Sequence, residues 1–323
     1  MAFRILSLDG GGIRGVMEAV ILAEVEQLID RPLNQYFHLI AGTSTGSILA
    51  AAIATGRRSQ EIIELYRQKG KNIFPYTSRW SLQRLPLILQ YGPSAPKFSD
   101  QGLINVLKEQ FGSTQLSDID TSPRLLIIAY DTIDRETIVF KSWQRYKPWA
   151  NSPLWEVCVS SSSAPTYFPA HLMKTQDKNY SLIDGGVGAN NPSSCAIAEA
   201  IRLDNPIQEI SLLSIGTGNS SNSIPFEQVQ GWGMGQWIWE GRLIQVLSDA
   251  SGDVNDYITR QVMSSPELED RPSSRYLRLQ PTIKNELIDD ATDNNINRLI
   301  DLAQTYIREN QEILANFVQS TRD

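Results

Sequence analysis

Histidine is nearly missing from this chain: His38 and His171 are the only two in 323 residues, so few imidazole bases are on offer. Cysteine is as scarce, with Cys158 and Cys195 alone. Both lie in segments that read as helical among small and apolar neighbours, so buried thiols in a reducing compartment are expected rather than a disulfide framework. No apolar stretch reaches the roughly 18 residues needed to span a bilayer. The start, Met1 to Leu8, runs straight into a glycine loop without the long apolar core of a signal peptide. The expectation is a cytoplasmic protein that touches membranes transiently. Basic charge is not in excess either: 29 Lys and Arg face 36 Asp and Glu, a net charge of −7, which leaves no footprint for a nucleic-acid polymer.

What is present is an ordinary globular composition, 41 % hydrophobic, enough to bury a large core. Short apolar runs at Phe3–Leu8, Leu39–Ala41, Leu125–Tyr130, Thr137–Phe140, Tyr180–Ile183, Ile210–Ile215 and Tyr276–Leu279 read as strands. Helical periodicity lies between them, notably at Val16–Ile29, Ser47–Ala54, Ser59–Lys69 with Gly70 as its stop, Gln101–Phe111, Leu154–Ser161, Ser193–Arg202, Gln236–Met263 and Asn294–Val318. Strands alternating with helices predict a three-layer α/β/α fold around a mostly parallel sheet. With no linker in view, one domain over 1–323 is expected, its motif-bearing core at about 3–218 and a mainly helical C-terminal part at about 219–323.

Three glycine-centred motifs carry the chemistry. Gly42-Thr43-Ser44-Thr45-Gly46, between a short strand and an apolar helix, has the form of a nucleophile elbow. The glycines at both ends permit a strained turn that presents Ser44, and the helix start, with Thr45, offers N–H groups to negative charge. Asp9-Gly10-Gly11-Gly12-Ile13-Arg14-Gly15 also joins strand to helix and formally matches a dinucleotide fingerprint. That reading lacks its ribose anchor, because the next strand ends in Ala41-Gly42 and Asp30 closes a helix. The same consecutive glycine N–H groups can instead hold the oxygen of a tetrahedral acyl intermediate. Asp184-Gly185-Gly186 follows a strand and puts Asp184 at the edge where open α/β sheets bind ligands.

The histidine count then matters, since a serine nucleophile needs a base. His38 lies at the far end of the strand leading to Ser44. His171 precedes Asp184, whereas α/β-hydrolase triads run serine, acid, histidine. Asp184 is therefore the stronger candidate base, with a triad through His171 as the alternative. An aspartate is weakly basic, so its pKa must be raised by burial.

Taken in order, the three motifs resemble the signature blocks of patatin-like phospholipases, and Ser162-Ser163-Ala164-Pro165-Thr166-Tyr167-Phe168-Pro169 looks like the block ahead of that family's aspartate. The resemblance spans about Phe3 to Gly218. It implies a Ser44–Asp184 dyad, an oxyanion hole from Gly10, Gly11, Gly12 and Thr45, and supporting roles for Arg14, Gly15, Gly42, Gly46, Gly185 and Gly186. It also implies acyl-ester hydrolysis of membrane glycerolipids, phospholipid or galactolipid, peripheral contact with the membrane, and no metal or organic cofactor. Two other readings are compatible with it: an effector of bacterial antiphage defence switched on by a cyclic nucleotide, and a lipid-binding or storage protein without catalysis. Ser47 departs from the family pattern where a second glycine is common, and His38 where an acid is frequent.

Three further features stand outside the motifs. The proline-punctuated, apolar stretch from Asn72 to Phe98 suits a lid or binding loop, and Leu85–Leu89 within it suits a lid or core packing. Trp232, Trp237 and Trp239 cluster with Met234 around Gly231, Gly233 and Gly235, which suits a docking surface at a membrane interface or, the commoner fate of tryptophan, core packing. The charge runs at Glu267–Arg271 and Asp289–Asp293 read as solvated loops.

Overall fold

A computed structural model describes residues 2–119, 122–238, 242–264, 275–284 and 287–321. Its centre is β1 (Phe3–Leu8), whose six residues are all buried. A run buried on both faces, Arg4 and Ser7 included, suits a parallel strand covered on each side. The partners of β1 are β2 (Leu39–Thr43), with Ile5 opposite Leu39, and β7 (Ile210–Ile215), with Phe3 opposite Ile210. Beyond β7 lies β9 (Tyr276–Leu279), also parallel.

The other half of the sheet changes direction. β3 (Arg124–Asp131) runs parallel to β2, but β4 (Glu136–Lys141) folds back antiparallel on its far edge. β5 (His171–Lys174) and β6 (Asn179–Asp184) form an antiparallel pair, and β6 is antiparallel to β3. A two-stranded clip joins β8 (Asn219–Ser220) to β10 (Thr282–Ile283).

The period-two alternation of the strands sorts their side chains to two cores. Leu6, Leu8, Ile40, Ile127, Leu213 and Ile215 face helices that include Gly15–Ile29, Thr45–Ala54 and Asp293–Ser320. Phe3, Ile5, Leu39, Leu126, Ile128 and Leu212 face the thinner layer holding helix Ser193–Arg202 and Met263, the last residue of helix Arg242–Met263. This is the expected α/β/α sandwich. The C-terminal third is built into it: β9 extends the sheet, and helix Asp293–Ser320 packs on Gly15–Ile29. Among the described residues no helix is long and apolar enough to cross a membrane.

Several local expectations are corrected. Helix Ser59–Ile73 runs through Gly70 instead of stopping there, because that glycine lets Ile13 Cδ1 approach to 3.0 Å of where a Cβ would sit. β5 and the helix Leu85–Tyr91 were not expected; Pro86 occupies the first turn of that helix, where its missing N–H costs nothing. Helix Gln236–Met263 is described as Met234–Ile238 and Arg242–Met263. Trp232 and Trp237 stack edge to face with ring centres 5.0 Å apart but are only half-buried, so this pair is not core; Trp239 lies outside the described residues, as does the run Glu267–Arg271. Asp289 is not a solvated loop residue, since it is buried and ion-paired with Lys97.

Candidate active site

The site forms where two strands meet end to end. β2 and β6 share one edge of β3: β2 stops at Thr43 opposite Ile128, and β6 stops at Asp184 opposite Ala129. Ser44, one residue past β2, is thereby delivered to the end of β6. Its Oγ donates to Asp184 Oδ2 at 2.6 Å.

Ser44 sits on a sharp turn with φ +53°, ψ −123°, left-handed backbone that a non-glycine residue adopts only when its surroundings enforce it. Close packing on both sides does so. A Cβ on Gly42 would lie 2.2 Å from Gly46 O, and one on Gly46 would lie 2.3 Å from Leu8 O. The Ser44 N–H donates to Ser161 Oγ at 2.8 Å, which in turn donates to Ile128 O at 2.6 Å, tying the elbow to β3. Ser47, the departure from the usual glycine, is buried and donates its hydroxyl to Ser44 O at 2.6 Å.

Asp184 is buried. Its Oδ1 accepts the Gly186 N–H at 2.7 Å while Oδ2 takes the serine. Loss of solvent dominates and pushes its pKa up to about 6, against the opposing pull of the two hydrogen bonds. The requirement that burial make this carboxylate more basic is thus met. A Cβ on Gly185 would strike Ile128 O at 2.3 Å, which accounts for the glycine after the aspartate.

The N-terminal glycine loop lies beside Ser44. Gly10 N–H is already given to Asn190 O at 3.1 Å, so its part is steric: a Cβ there would sit 3.2 Å from Ser44 Cβ and closer still to the Asn190 side chain. The N–H groups of Gly11, Gly12 and Thr45 have no acceptor among the described residues. Arg14 is buried, and its Nε reaches Gly11 O at 3.4 Å, bracing the loop from within. Gly15 gives room to the Thr45 and Tyr66 hydroxyls, which bond to each other.

Ser44, Asp184 and the three glycines line one cavity of about 480 Å³. One part of its wall is apolar, with Ile48, Leu65, Ile73, Phe74, Leu103 and Phe168; another is polar, with Asn222, Asp249 and Lys284. Neither histidine lines it. His38 Nδ1 accepts from Arg4 N at 2.9 Å at the start of β2, and His171 on β5 pairs with Glu156 at 3.1 Å.

Residues 6–197 match the patatin-like phospholipase family model, well over half of the chain. The chain belongs to the patatin-like phospholipase family. Patatin-like protein 2 of rice (Oryza sativa) is 30 % identical over 95 % of this chain and 84 % of its own length. The potato (Solanum tuberosum) protein named "Probable inactive patatin-3-Kuras 1" is also 30 % identical, over 94 % of this chain and 86 % of its own. Human GIVD cytosolic phospholipase A2 shares the fold, with a TM-score of 0.51 at 12 % identity, covering 99 % of this chain; the chain spans 60 % of that protein's length.

At the family level the activity is lipid acyl hydrolysis. The patatin-like core also depends on groups that no motif announces. Arg278, on β9, holds Asp9 through both carboxylate oxygens, Nη1 to Oδ1 at 2.8 Å, and also donates to Ser214 Oγ at 2.8 Å. Thr217 Oγ1 donates to Gly10 O at 2.7 Å, and Ile288 O accepts from Ile13 N at 2.8 Å. These clamps come from beyond residue 210, so sequence spacing carried no signal for them.

Proposed function

We propose that this chain cleaves acyl esters of membrane glycerolipids and releases free fatty acid. The observation that carries the reading is the 2.6 Å bond from Ser44 Oγ to Asp184 Oδ2 at a cavity walled largely by apolar side chains. In this reading Asp184 takes the proton as Ser44 Oγ adds to the ester carbonyl carbon. The tetrahedral oxyanion is met by the N–H groups of Gly11, Gly12 and Thr45, with Gly10 as the spacer that lets the loop approach. The carbonyl re-forms, the glycerol oxygen leaves with the proton, and the acyl group stays on Ser44. Asp184 then activates water, which releases the fatty acid and restores the serine. Residues 1–323 act as one domain, because the C-terminal clamps on Asp9 and Ile13 shape the loop itself.

The test is labelling. A fluorophosphonate probe is expected to modify Ser44, read by peptide mass spectrometry, and the unlabelled protein to release fatty acid from phosphatidylcholine or galactolipid vesicles. Labelling elsewhere, or none, would overturn the reading.

A pH profile follows from the base. Asp184 must be ionised to accept a proton, so kcat/KM is expected to rise with pH through about 6 and level off above it. Stability moves the other way. A carboxyl whose folded pKa is raised contributes stability that is full below its ordinary value and lost as pH rises through about 6. A kcat/KM profile flat between pH 5 and about pH 8 would count against Asp184 as the base.

A further inference from the structure

The cavity wall continues outward into a finger formed by residues 74–98. Its root is aromatic: Phe74, Tyr76, Phe98 and Phe168 stack with ring centres 5.0 to 5.9 Å apart, and Phe74 and Phe168 line the cavity. Its shape is held from inside. The buried Arg84 guanidinium donates to Pro96 O at 3.1 Å and to Ala95 O, drawing the two arms together. Lys97 anchors the returning arm by its buried ion pair with Asp289, and Phe98 N bonds Tyr167 O at 2.7 Å.

What this braced finger presents outward is apolar. Trp80 is 86 % exposed, Leu82 88 % and Leu89 80 %, and Leu85 and Tyr91 are each more than half exposed. Leu82, Leu85 and Leu89 follow at intervals of three and four along continuous helical turns, which puts them in one stripe. Such a stripe costs solubility unless something covers it.

We propose that this finger is the membrane-docking element, with a lipid surface bearing anionic headgroups as its occupant. The charge pattern favours that occupant. The finger brings no Asp or Glu of its own, although the whole chain carries −7. Of the six basic residues between Leu65 and Ser99, Arg67, Lys69, Lys71 and Lys97 are ion-paired to carboxylates outside that stretch and Arg84 is buried, so its face is free of the acidic charge that an anionic surface would repel. The other apolar surface beside the cavity lies on residues 226–262, a stretch of sequence that is acidic on balance, with Glu227, Glu240, Asp249, Asp253 and Asp256 against Arg242 and Arg260, the last of these paired with Asp256; an anionic bilayer would repel that excess. Trp80 and Tyr91 are the side-chain types that settle at the boundary of headgroup and acyl chain. Docking by the finger brings the bilayer against the cavity wall that contains Phe74. The inference rests on the lipid-hydrolase reading of that cavity.

The test uses Ser44→Ala protein, so that lipid is not consumed, with flotation on phosphatidylcholine vesicles with and without phosphatidylserine. The triple variant Leu82→Ser, Leu85→Ser, Leu89→Ser and the single variant Trp80→Ala alter exposed side chains, and circular dichroism checks that both fold. The triple variant is expected to lose at least about tenfold in vesicle affinity, and Trp80→Ala a smaller share. In the Ser44 background the same substitutions should leave hydrolysis of soluble p-nitrophenyl butyrate unchanged. Unaltered vesicle affinity overturns the proposal. So does a wild-type dimer in ultracentrifugation that the triple variant converts to monomer with no change on vesicles, which would assign the stripe to a second copy. Vesicle binding alone decides the docking claim. A chain that docks through the finger but leaves the soluble ester intact would retire the hydrolase reading and keep the docking one.

Discussion

Ser44→Ala and Asp184→Asn are each expected to lower kcat on a lipid ester by about 10⁴-fold, and the double variant to fall little further, because a nucleophile and its base act as one unit. Among the described residues Asp184 is the base hydrogen-bonded to Ser44 Oγ. Both oxygens of Asp184 are committed, one to Ser44 and one to Gly186, and neither histidine lines the cavity. His171→Ala should therefore retain activity within a fewfold. The asparagine variant also makes a prediction that misfolding cannot imitate. Burial has pushed Asp184 up to about 6 from the ordinary 3.8, which corresponds to about 3 kcal/mol held against its ionised form. Asparagine is never ionised, so Asp184→Asn should be more stable than wild type at pH 8, by up to about 3 kcal/mol, and the gain should shrink toward pH 4. Loss of activity joined to a higher Tm at pH 8 would identify a residue held in a strained, functional state. A thousandfold loss in His171→Ala, with Asp184→Asn near wild type, would replace the dyad by a triad.

How much of this was legible before the structure depends on how local each signal is. β1, β2, β7 and β9 are short, mostly apolar runs that end at or near glycine, aspartate or glutamine, so their existence could be read directly, and with it the strand–turn–helix setting of Ser44. The glycines at 42, 46 and 185 were also legible as a pattern, though their cause is backbone oxygens of Gly46, Leu8 and Ile128 lying where a Cβ would go. That Ser44 should meet Asp184 was expected from the ordered motifs and the placement of the two histidines, but the geometry that joins them was not legible. It depends on β6 entering antiparallel on the same edge of β3 that β2 has just left, and side-chain periodicity is blind to strand direction. Helix Leu85–Tyr91 was hidden by Pro86, which ends helices in their interior but is tolerated in the first turn. Gly70 misled for the related reason that a helical glycine marks either a stop or a close approach, and here it is the approach of Ile13. Asp289 lay in an acidic run and read as solvated, yet its partner Lys97 is 192 residues away in sequence.

The same distance problem hid Arg278, and its removal is the largest stability effect the fold predicts. Arg278→Met is expected to destabilise the protein by about 3–5 kcal/mol, because it leaves a buried carboxylate without its counter-charge. Asp9 closes β1 directly before the glycine loop, and its side chain has almost no contact with solvent. Burial pushes its pKa up, and the Arg278 guanidinium is the main opposing influence. Beneath it, Glu18 accepts the Asp9 N–H at 2.9 Å and is itself held well above the usual carboxylate range by burial and by Asp9, so it gives no compensation. Without Arg278, Asp9 should take up a proton at a higher pH than before. The variant's deficit should therefore be widest at pH 8 and narrow as pH falls, the sign for a carboxyl raised on folding. Adding Asp9→Asn should recover part of the loss, since the unpaired charge is then gone. Activity should fall along with stability, because Asp9 O also accepts the Gly46 N–H at 3.1 Å and so couples the glycine loop to the elbow helix. Thermal unfolding of the three proteins at pH 5 and pH 8 decides it. A Tm for Arg278→Met within about 2 °C of wild type at pH 8 would mean that Asp9 is already neutral in the native protein, and that the pair shapes the loop by hydrogen bonds alone.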